Sequence, residues 1–304
     1  MPREGTRAQV SDDWIDRIPP PALRPFLKLA RIEKPIGTWL LLWPCWWSLA
    51  LAAEGGWPDA RLLALFAVGA VVMRAAGCTL NDLVDRDFDG RVARTRSRPL
   101  PSGAVRPAGA WGFLVVLMLA GLAILLQLNR PAIALGAASL ALVACYPFMK
   151  RITYWPQAFL GLTFNWGALL GWVAASGALA PPALALYAGG IAWTLGYDTI
   201  YAHQDKDDDA LVGVKSSALK LGARTRPWLF VFYGATVAGL ATAAALAGLA
   251  WPAYLGLALA AAQLAWQAAR VEIDDPRDCL AKFTTNAWFG ALVFAAFVAG
   301  QITR

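Results

Sequence analysis

The sequence predicts an all-α polytopic membrane protein with about nine transmembrane helices. Hydrophobic residues make up 58% of the chain and charged residues 15%, whereas soluble domains hold about 45–50% apolar and about 25% charged residues. The mean hydropathy is +0.49. Apolar runs of about 20 residues recur along the chain, and a helix of that length spans a bilayer. We therefore expect a single polytopic unit rather than soluble domains.

The lengths of the apolar runs, and the Pro and Gly residues between them, set the predicted spans. We place these spans at approximately 36–53, 60–80, 109–128, 131–147, 157–176, 182–203, 227–247, 250–269 and 284–301. Residues 1–35 are charged and contain no apolar core, so we expect a soluble cytoplasmic tail rather than a signal or transit peptide. Residues 36–304 then form a single transmembrane domain.

The distribution of Lys and Arg predicts the orientation. Alternate loops, beginning with the N-terminal tail, carry 23 of the 27 basic residues, and the loops of the opposite side carry three. Because cytoplasmic loops are enriched in Lys and Arg, we expect a cytoplasmic N-terminus, an external C-terminus and a location in a bacterial inner membrane. The net charge of +7 suits anionic lipid headgroups. It requires no nucleic-acid partner, and no obligate protein partner is implied.

Two short segments at predicted cytoplasmic span ends hold nine of the 20 acidic residues, four in one and five in the other. We define the first acidic cluster as Asn81, Asp82, Asp85 and Asp89. If the second span continued through it, these side chains would share one helix face, because Asp82 and Asp89 differ by only about 20° around a helix. Carboxylates so close repel one another unless a cation lies among them, and Mg²⁺ prefers oxygen ligands that include substrate phosphates.

The alternative for this segment is a solvated loop. Its acids would then pair with Arg86, Arg91 and Arg94. Helical spacing of the acids favours the first interpretation, because a loop would not require it.

We define the second acidic cluster as Asp198, Tyr201, Asp205 and Asp209. On one continuous helix its three carboxylates would share a face, with Tyr201 about 60° from Asp198. Two such clusters at one membrane edge predict a clamp in which Mg²⁺ ions hold a diphosphate and neutralise it as a leaving group. The apolar helices would hold a hydrocarbon tail, which specifies an amphiphilic diphosphate such as an isoprenoid.

Two cations are candidates for binding this diphosphate. Arg98 is the last of three arginines at alternate positions and begins a rigid Pro-rich segment, and a guanidinium suits bidentate binding of phosphate. Lys215 lies in an amphipathic stretch after the second cluster. The alternative for each is the ordinary excess of cations in cytoplasmic loops.

The two acidic motifs resemble the signatures of the UbiA-type intramembrane prenyltransferases. The motifs read Asn81-Asp82-x-x-Asp85-x-x-x-Asp89 and Asp198-x-x-Tyr201-Ala202-x-x-Asp205-x-x-x-Asp209. Segments 31–38, 98–103, 146–151 and 213–216 are similar to those of the 4-hydroxybenzoate polyprenyltransferase branch, so the resemblance covers residues 31 to about 222. One departure is Glu33, where the branch carries Asp, and the charge is kept.

The resemblance implies about nine helices around a central cavity, capped by cytoplasmic helical loops. It implies transfer of a polyprenyl group from polyprenyl diphosphate to the ring carbon ortho to the hydroxyl of 4-hydroxybenzoate, in ubiquinone biosynthesis. Mg²⁺ would be held by Asn81, Asp82, Asp85, Asp89, Asp205 and Asp209. Catalysis would involve Asp82, Asp85, Asp198, Tyr201 and Asp205. Arg98 and Lys215 would bind the diphosphate, and Arg31, Lys150 or Arg151 the aromatic carboxylate unless they are membrane anchors.

Two other functions remain open at the level of the sequence. A related membrane prenyltransferase would use naphthoate, homogentisate, haem or a sugar phosphate as its acceptor. A cation-coupled transporter is the second alternative, because intramembrane acids also mark ion pathways. Transporters usually place such acids near the midplane on broken helices, whereas here we expect acids at one membrane edge and unbroken helices.

Overall fold

The computed structural model describes residues 14–54, 56–90 and 95–304, apart from the side chains of Phe88, Asp208 and Val212. Within these residues every regular element is helical, which confirms the predicted all-α class. The helices are α1 Trp14–Arg17, α2 Arg24–Leu29, α3 Ile36–Ala52, α4 Ala60–Asp89, α5 Pro107–Leu125, α6 Arg130–Ile152, α7 Pro156–Phe164, α8 Trp166–Ser176, α9 Pro181–Ala202, α10 Lys206–Val212, α11 Ser217–Leu221, α12 Thr225–Leu246, α13 Trp251–Arg270, α14 Pro276–Thr284 and α15 Asn286–Ile302.

Six helical segments of the described chain are long and apolar enough to cross a membrane, and the protein is therefore integral to one. They are Ala60–Asp87, Pro107–Leu125, Arg130–Ile152, Pro156–Ser176, Ser217–Leu246 and Pro276–Ile302. The helices α9 and α13 have 22 and 20 residues but a lower hydropathy, and α3 is apolar with 17 residues. The total of nine spans stays a prediction.

The chain divides into two compact units. The first comprises Met1–Pro35 and Val72–Ala120, and the second comprises Ile36–Val71 and Gly121–Arg304. In the first unit, a buried core joins α2, the second half of α4 and the beginning of α5 through Leu29, Leu83 and Leu114. The rings of Phe26 and Phe113 meet edge to face, with centroids 5.3 Å apart. This core holds the N-terminal segment against the part of α4 that carries the first acidic cluster.

The second unit is organised around α9. Its Trp193 packs against Trp47 of α3 and Phe289 of α15, with ring centroids 5.0 and 5.2 Å apart. Glycines bring α9 and α12 close together, because a Cβ on Gly239 would lie 2.6 Å from the Cα of Gly189. Small residues at such crossings favour close packing of membrane helices. The result is a largely buried α9, and its C-terminal end carries Asp198 and Tyr201 of the second acidic cluster.

Two predicted spans differ from the structure. The helix predicted to end at residue 147 continues to Ile152, with Pro147 inside it. The span predicted at 157–176 is two helices, so our expectation of unbroken helices was wrong. Asn165 lies at the break and donates from Nδ2 to the carbonyl of Gly161 and to the hydroxyl of Thr194, at 2.9 and 2.8 Å. These bonds stabilise the interruption, since side chains can re-satisfy freed backbone groups inside a bilayer.

Candidate active site

The helix α4 positions the first acidic cluster. Its 30 residues extend about 45 Å at 1.5 Å per residue, which exceeds the ~30 Å hydrocarbon core. Asp59 caps the beginning of the helix, because its Oδ1 accepts from the backbone N–H groups of Arg61 and Leu62 at 2.7 and 3.0 Å. The hydroxyl of Thr95 donates to the Asp89 carbonyl at 2.8 Å at the other end. The predicted continuation of this span through the cluster is confirmed.

Three carboxylates of the first cluster are buried on one side of α4. Asp82 and Asp85 are each 1% exposed, and Asp89 is 8% exposed. By contrast, Asp87 of the same helix is exposed and pairs with the neighbouring Arg86 at 3.3 Å. The helical spacing therefore separates a buried acidic face from a solvated one.

The solvated-loop alternative is wrong for the buried carboxylates of this cluster, because they lie on a helix and are shielded from water. Of the three arginines that this alternative invoked, Arg86 pairs with Asp87. Arg91 and Arg94 lie outside the described residues.

Two guanidinium groups contact this acidic face. Nη1 of Arg98 lies 2.7 Å from Oδ2 of Asp89 and 3.3 Å from Oδ1 of Asp82. Nη2 of Arg31 lies 2.5 Å from the same Oδ1 of Asp82. Burial raises the pKa of the Asp89 carboxyl above its usual range, although the charge and hydrogen bond of Arg98 favour the ionised form. Arg31 and Arg98 thus bring positive charge to two of the three buried acids, Asp82 and Asp89.

The segment after α4 is folded so as to direct Arg98. Its backbone N–H donates to the Thr95 carbonyl at 2.9 Å, and its own carbonyl accepts from Ser102 at 3.0 Å. Leu100 is buried in the core of the unit, which holds the Pro-rich segment in place. Arg96 is exposed. Arg96 and Arg98 are the two described members of the three alternating arginines, and Arg98 is the one directed at the carboxylates.

The donor chemistry of this face fits Mg²⁺. Within the described residues, no group of three His, Cys, Asp or Glu side chains forms a ready-made metal site. Mg²⁺ usually takes one or two carboxylates and completes its shell with substrate phosphates and water. Both guanidinium contacts to Asp82 fall on Oδ1, so Oδ2 lies outside these ion pairs. Buried carboxylate oxygens of this kind suit a hard cation that arrives with a diphosphate.

The second acidic cluster is divided between two helices. Asp198 and Tyr201 lie on α9, which ends at Ala202, whereas Asp209 lies on α10. Asp205 precedes α10 with φ −113° and ψ 4°. The prediction that all three carboxylates share a face of one continuous helix is therefore wrong.

The turn after α9 has a local cause. The N–H groups of His203 and Gln204 donate to carbonyls three residues back, at 3.2 and 3.1 Å. Such bonds tighten the last turn of a helix and end it. The carboxylates of Asp198, Asp205 and Asp209 are half-buried at this turn.

The loop 271–275 anchors the turn that carries Asp205. Lys206, the first residue of α10, forms an ion pair with Asp274 and lies 3.5 Å from the carbonyl of Ile273. The hydrogen bond and positive charge of Lys206 hold the pKa of Asp274 below its usual range. Arg226 of α12 donates twice to the Val271 carbonyl, at 3.0 and 2.8 Å. Two cations therefore hold this loop from two different helices.

The three predicted cations of the second unit lie together near the C-terminal end of α6. Lys215 donates from Nζ to the Ile152 carbonyl at 3.1 Å and lies over the Tyr154 ring at 5.6 Å. Lys150 and Arg151 occupy the last turn of α6, where cations favourably offset the partial negative charge of the carbonyls. Their roles as ligands stay predictions.

Sequence reasoning missed two residues that contact predicted site residues, and a third that contacts the neighbour of Asp205. Thr95 caps the carbonyl of Asp89, and Asp274 pairs with Lys206. The Phe283 ring packs against Tyr201, with centroids 4.6 Å apart. Only Thr95 carried a local signal, since a hydroxyl close behind a helix end commonly bonds to its last carbonyls. The other two contacts join distant parts of the chain.

Comparison with protein families identifies related sequences. The profile of the UbiA prenyltransferase family matches residues 41–299. The chain is 53% identical over 290 residues to the mitochondrial 4-hydroxybenzoate polyprenyltransferase of Arabidopsis thaliana, covering 95% of this chain and 71% of the plant protein. It is 52% identical over 287 residues to the protein of that name from Caenorhabditis elegans, covering 94% and 81%.

Solved structures share the fold. A UbiA homolog from Aeropyrum pernix K1, in its apo form, has a TM-score of 0.75 and 26% identity, covering 86% of this chain and 97% of that chain. A UbiA homolog from Archaeoglobus fulgidus, bound to GPP and Mg²⁺, has a TM-score of 0.65 and 17% identity, covering 92% and 100%.

Proposed function

Because the chain belongs to the UbiA prenyltransferase family, we propose that it transfers a polyprenyl group from polyprenyl diphosphate to 4-hydroxybenzoate. The new bond forms at the ring carbon ortho to the hydroxyl, diphosphate is released, and the product enters ubiquinone biosynthesis. The observation that carries this proposal is the identity of 52–53% to 4-hydroxybenzoate polyprenyltransferases over 94–95% of the chain.

The buried acidic face of α4 supports Mg²⁺ as the cofactor. Asp82, Asp85 and Asp89 offer carboxylate oxygens in a site shielded from water, and Asn81 precedes them in the same helix. When bound, Mg²⁺ neutralises the negative charge that develops on the departing diphosphate. The homolog bound to GPP and Mg²⁺ is consistent with this assignment.

The charges of the first cluster suit the ionisation of an allylic diphosphate. The C–O bond breaks, its electron pair leaves with the diphosphate, and an allylic cation remains. Arg98, held by two carboxylates, is positioned to donate to the diphosphate oxygens. The electron-rich ring then attacks the cation, and loss of the ring proton restores aromaticity. We propose that Asp198, Tyr201, Asp205 and Asp209 are also required for turnover, and that Lys215 contributes to diphosphate binding.

Among the cations predicted to bind the aromatic carboxylate, Arg31 is favoured. Its side chain is four-fifths buried, and its guanidinium already contacts a carboxylate, that of Asp82. A guanidinium matches a carboxylate in two places. Lys150 and Arg151 lie at a helix end, where their charge has a structural explanation.

We further propose that the protein lies in a bacterial inner membrane with its N-terminus and both acidic clusters on the cytoplasmic side. The asymmetry of 23 against three basic residues supports this orientation. The relatives that we compared carry names that place them in mitochondria.

Product analysis tests the reaction. Purified protein is incubated with Mg²⁺, a labelled polyprenyl diphosphate and 4-hydroxybenzoate, naphthoate or homogentisate in parallel. We expect a prenylated product with 4-hydroxybenzoate, and its loss when a chelator removes the metal. Transfer to another acceptor in its place would overturn the assignment of the substrate, and chelator-resistant transfer would overturn the role of Mg²⁺.

A further inference from the structure

Arg31 has a backbone conformation that side chains rarely adopt. Its φ is +54°, the only positive φ of a non-glycine residue within the part of the chain that the structure describes. Hydrogen bonds hold the turn on both sides, from Arg31 N–H to the Lys28 carbonyl and from Lys34 N–H to the Arg31 carbonyl, each at 3.0 Å. Such conformations are unfavourable and persist mainly where the surroundings impose them, often at functional sites.

The turn directs Arg31 at a carboxylate that is almost fully buried. Nη2 of Arg31 lies 2.5 Å from Oδ1 of Asp82, whose side chain is 2% exposed. The contact of Arg98 with the same oxygen is longer, at 3.3 Å. Withdrawing one partner from a buried ion pair is strongly unfavourable, because it leaves a charge without compensation. Asp82 therefore holds both guanidinium groups, and Arg31 makes the shorter contact.

This ion pair competes with the role of Arg31 in binding the acceptor. A guanidinium can bind a carboxylate at two points in two ways, and both use an N–H group of Nη2. The contact of Nη2 with Asp82 occupies one of these N–H groups, so the acceptor carboxylate and Asp82 compete for the same nitrogen. A divalent cation at Asp82 would remove the competition, because it compensates the same buried charge.

We propose that Arg31 exchanges Asp82 for the carboxylate of the aromatic acceptor, and that a divalent cation at Asp82 permits the exchange. This inference rests on the proposed function. Its consequence is an order of binding, in which the acceptor binds tightly only after the metal and the diphosphate of the donor. The acceptor is then captured only when the prenyl group is in place to react with it.

Binding alone tests the exchange, since inorganic diphosphate cannot transfer a prenyl group. The full chain in lipid nanodiscs is titrated with 4-hydroxybenzoate by calorimetry, first with a chelator and then with Mg²⁺ and inorganic diphosphate. We expect the Kd for 4-hydroxybenzoate to fall at least about fivefold, the lower end of usual coupling between sites. The Kd for Mg²⁺ with diphosphate falls by the same factor when 4-hydroxybenzoate is present, because coupling is reciprocal. An unchanged Kd would overturn the proposal.

A variant separates this exchange from simple attraction between the metal and the acceptor. In Asp82→Asn a neutral amide replaces the carboxylate that holds Arg31, so the Kd for 4-hydroxybenzoate without metal should approach the value of the metal-loaded wild-type protein. The matched control is Asp89→Asn, which removes a carboxylate that pairs with Arg98. In this control the metal-free Kd should remain as weak as in the wild-type protein.

If the metal only attracted the acceptor, Asp82→Asn without metal would bind 4-hydroxybenzoate as weakly as the metal-free wild-type protein does. That result would overturn the exchange. Arg31→Gln should lose tight binding under every condition, and tight binding in this variant would also count against it. An unchanged Kd in the two wild-type titrations overturns the exchange even where a variant does not fold.

The same samples distinguish the inference from the proposed function. Prenylated 4-hydroxybenzoate from wild-type protein, together with metal-independent binding of 4-hydroxybenzoate, would leave the function standing and reject the exchange. Absence of both product and binding would reject both.

Discussion

At the scale of single residues, burial distinguishes Asp85 from its neighbour Asp87. Both lie on α4, but Asp85 is 1% exposed and Asp87 is exposed and paired with Arg86. A charged carboxylate in so buried a position is costly without a compensating cation. We have proposed that Asp85 helps to hold Mg²⁺ at the diphosphate, and this role predicts different effects of substituting the two carboxylates.

We therefore expect Asp85→Asn to lower kcat by at least about 100-fold, the upper range for disturbing the surroundings of a bound metal. The measurement is product formation from 4-hydroxybenzoate at saturating Mg²⁺. Asp87→Asn is the matched control and should keep kcat within about twofold, as expected of an exposed surface side chain. Equal activity of Asp85→Asn and the wild-type protein would contradict the assignment.

The residues of the first cluster were predictable from spacing, whereas their partners were not. Intervals of three, four and seven place Asp82, Asp85 and Asp89 on one face of any helix. The contact between Arg31 and Asp82 joins residues 51 positions apart, and it depends on a positive φ at Arg31. No local pattern specifies such a turn at an arginine.

At the scale of elements, α4 was predicted better than the segment after α9 for a physical reason. The acids of α4 continue one helix, so helical periodicity applied through Asp89. After Ala202 the chain turns before α10 begins, and periodicity cannot be carried across a turn. The break at Asn165 was missed likewise, because it is stabilised by a bond to Thr194, 29 residues away.

The ion pair of Lys206 and Asp274 anchors α10 to the loop before α14, and a charge exchange tests its role. Each single variant, Lys206→Asp or Asp274→Lys, should raise KM for polyprenyl diphosphate about two- to fivefold, since an exposed ion pair makes only a small contribution. In the double variant KM should return most of the way to the wild-type value, because opposite charges again face each other. Steady-state KM and kcat for all four proteins provide the measurement.

The change in KM of each variant can be expressed as a free-energy change. If the changes of the two single variants simply add up in the double variant, a direct interaction between these side chains is excluded. Charge reversal at the exposed Lys220, also in the segment after α9, controls for the overall change in charge.

The crossing of α9 and α12 depends on two glycines, and it makes a prediction on stability. In Gly239→Ala the new Cβ would lie 2.6 Å from the Cα of Gly189, so the helices must separate. Overpacking of this kind costs about 1–3 kcal/mol. Thermal unfolding in detergent should therefore show a lower Tm for Gly239→Ala.

Gly234→Ala is the matched control on the same helix, because a Cβ there meets nothing within 4 Å. It should keep or slightly raise the Tm, since alanine favours helix more than glycine does. An equal Tm for the two variants would show that α9 and α12 do not pack as described.

At the scale of the whole molecule, composition determined the class and charge asymmetry determined the predicted orientation. These signals are sums over many residues, so single errors in helix limits do not alter them. Counting spans is harder, because α9 and α13 are long but only moderately hydropathic and α7 and α8 together fill one predicted span. An experiment on sidedness can decide whether the number of spans between two loops is odd or even.

Two exposed residues of the second unit report this topology. Trp57, between α3 and α4, is 73% exposed, and Asp207 of α10 is exposed. Five predicted spans separate them, and an odd number places them on opposite sides of the membrane.

In a background with the exposed Cys145 replaced by Ser, a membrane-impermeant maleimide should label Trp57→Cys in intact spheroplasts and Asp207→Cys only after lysis. Labelling of both from one side would require an even number of spans between them, and labelling in the reverse order would invert the predicted orientation.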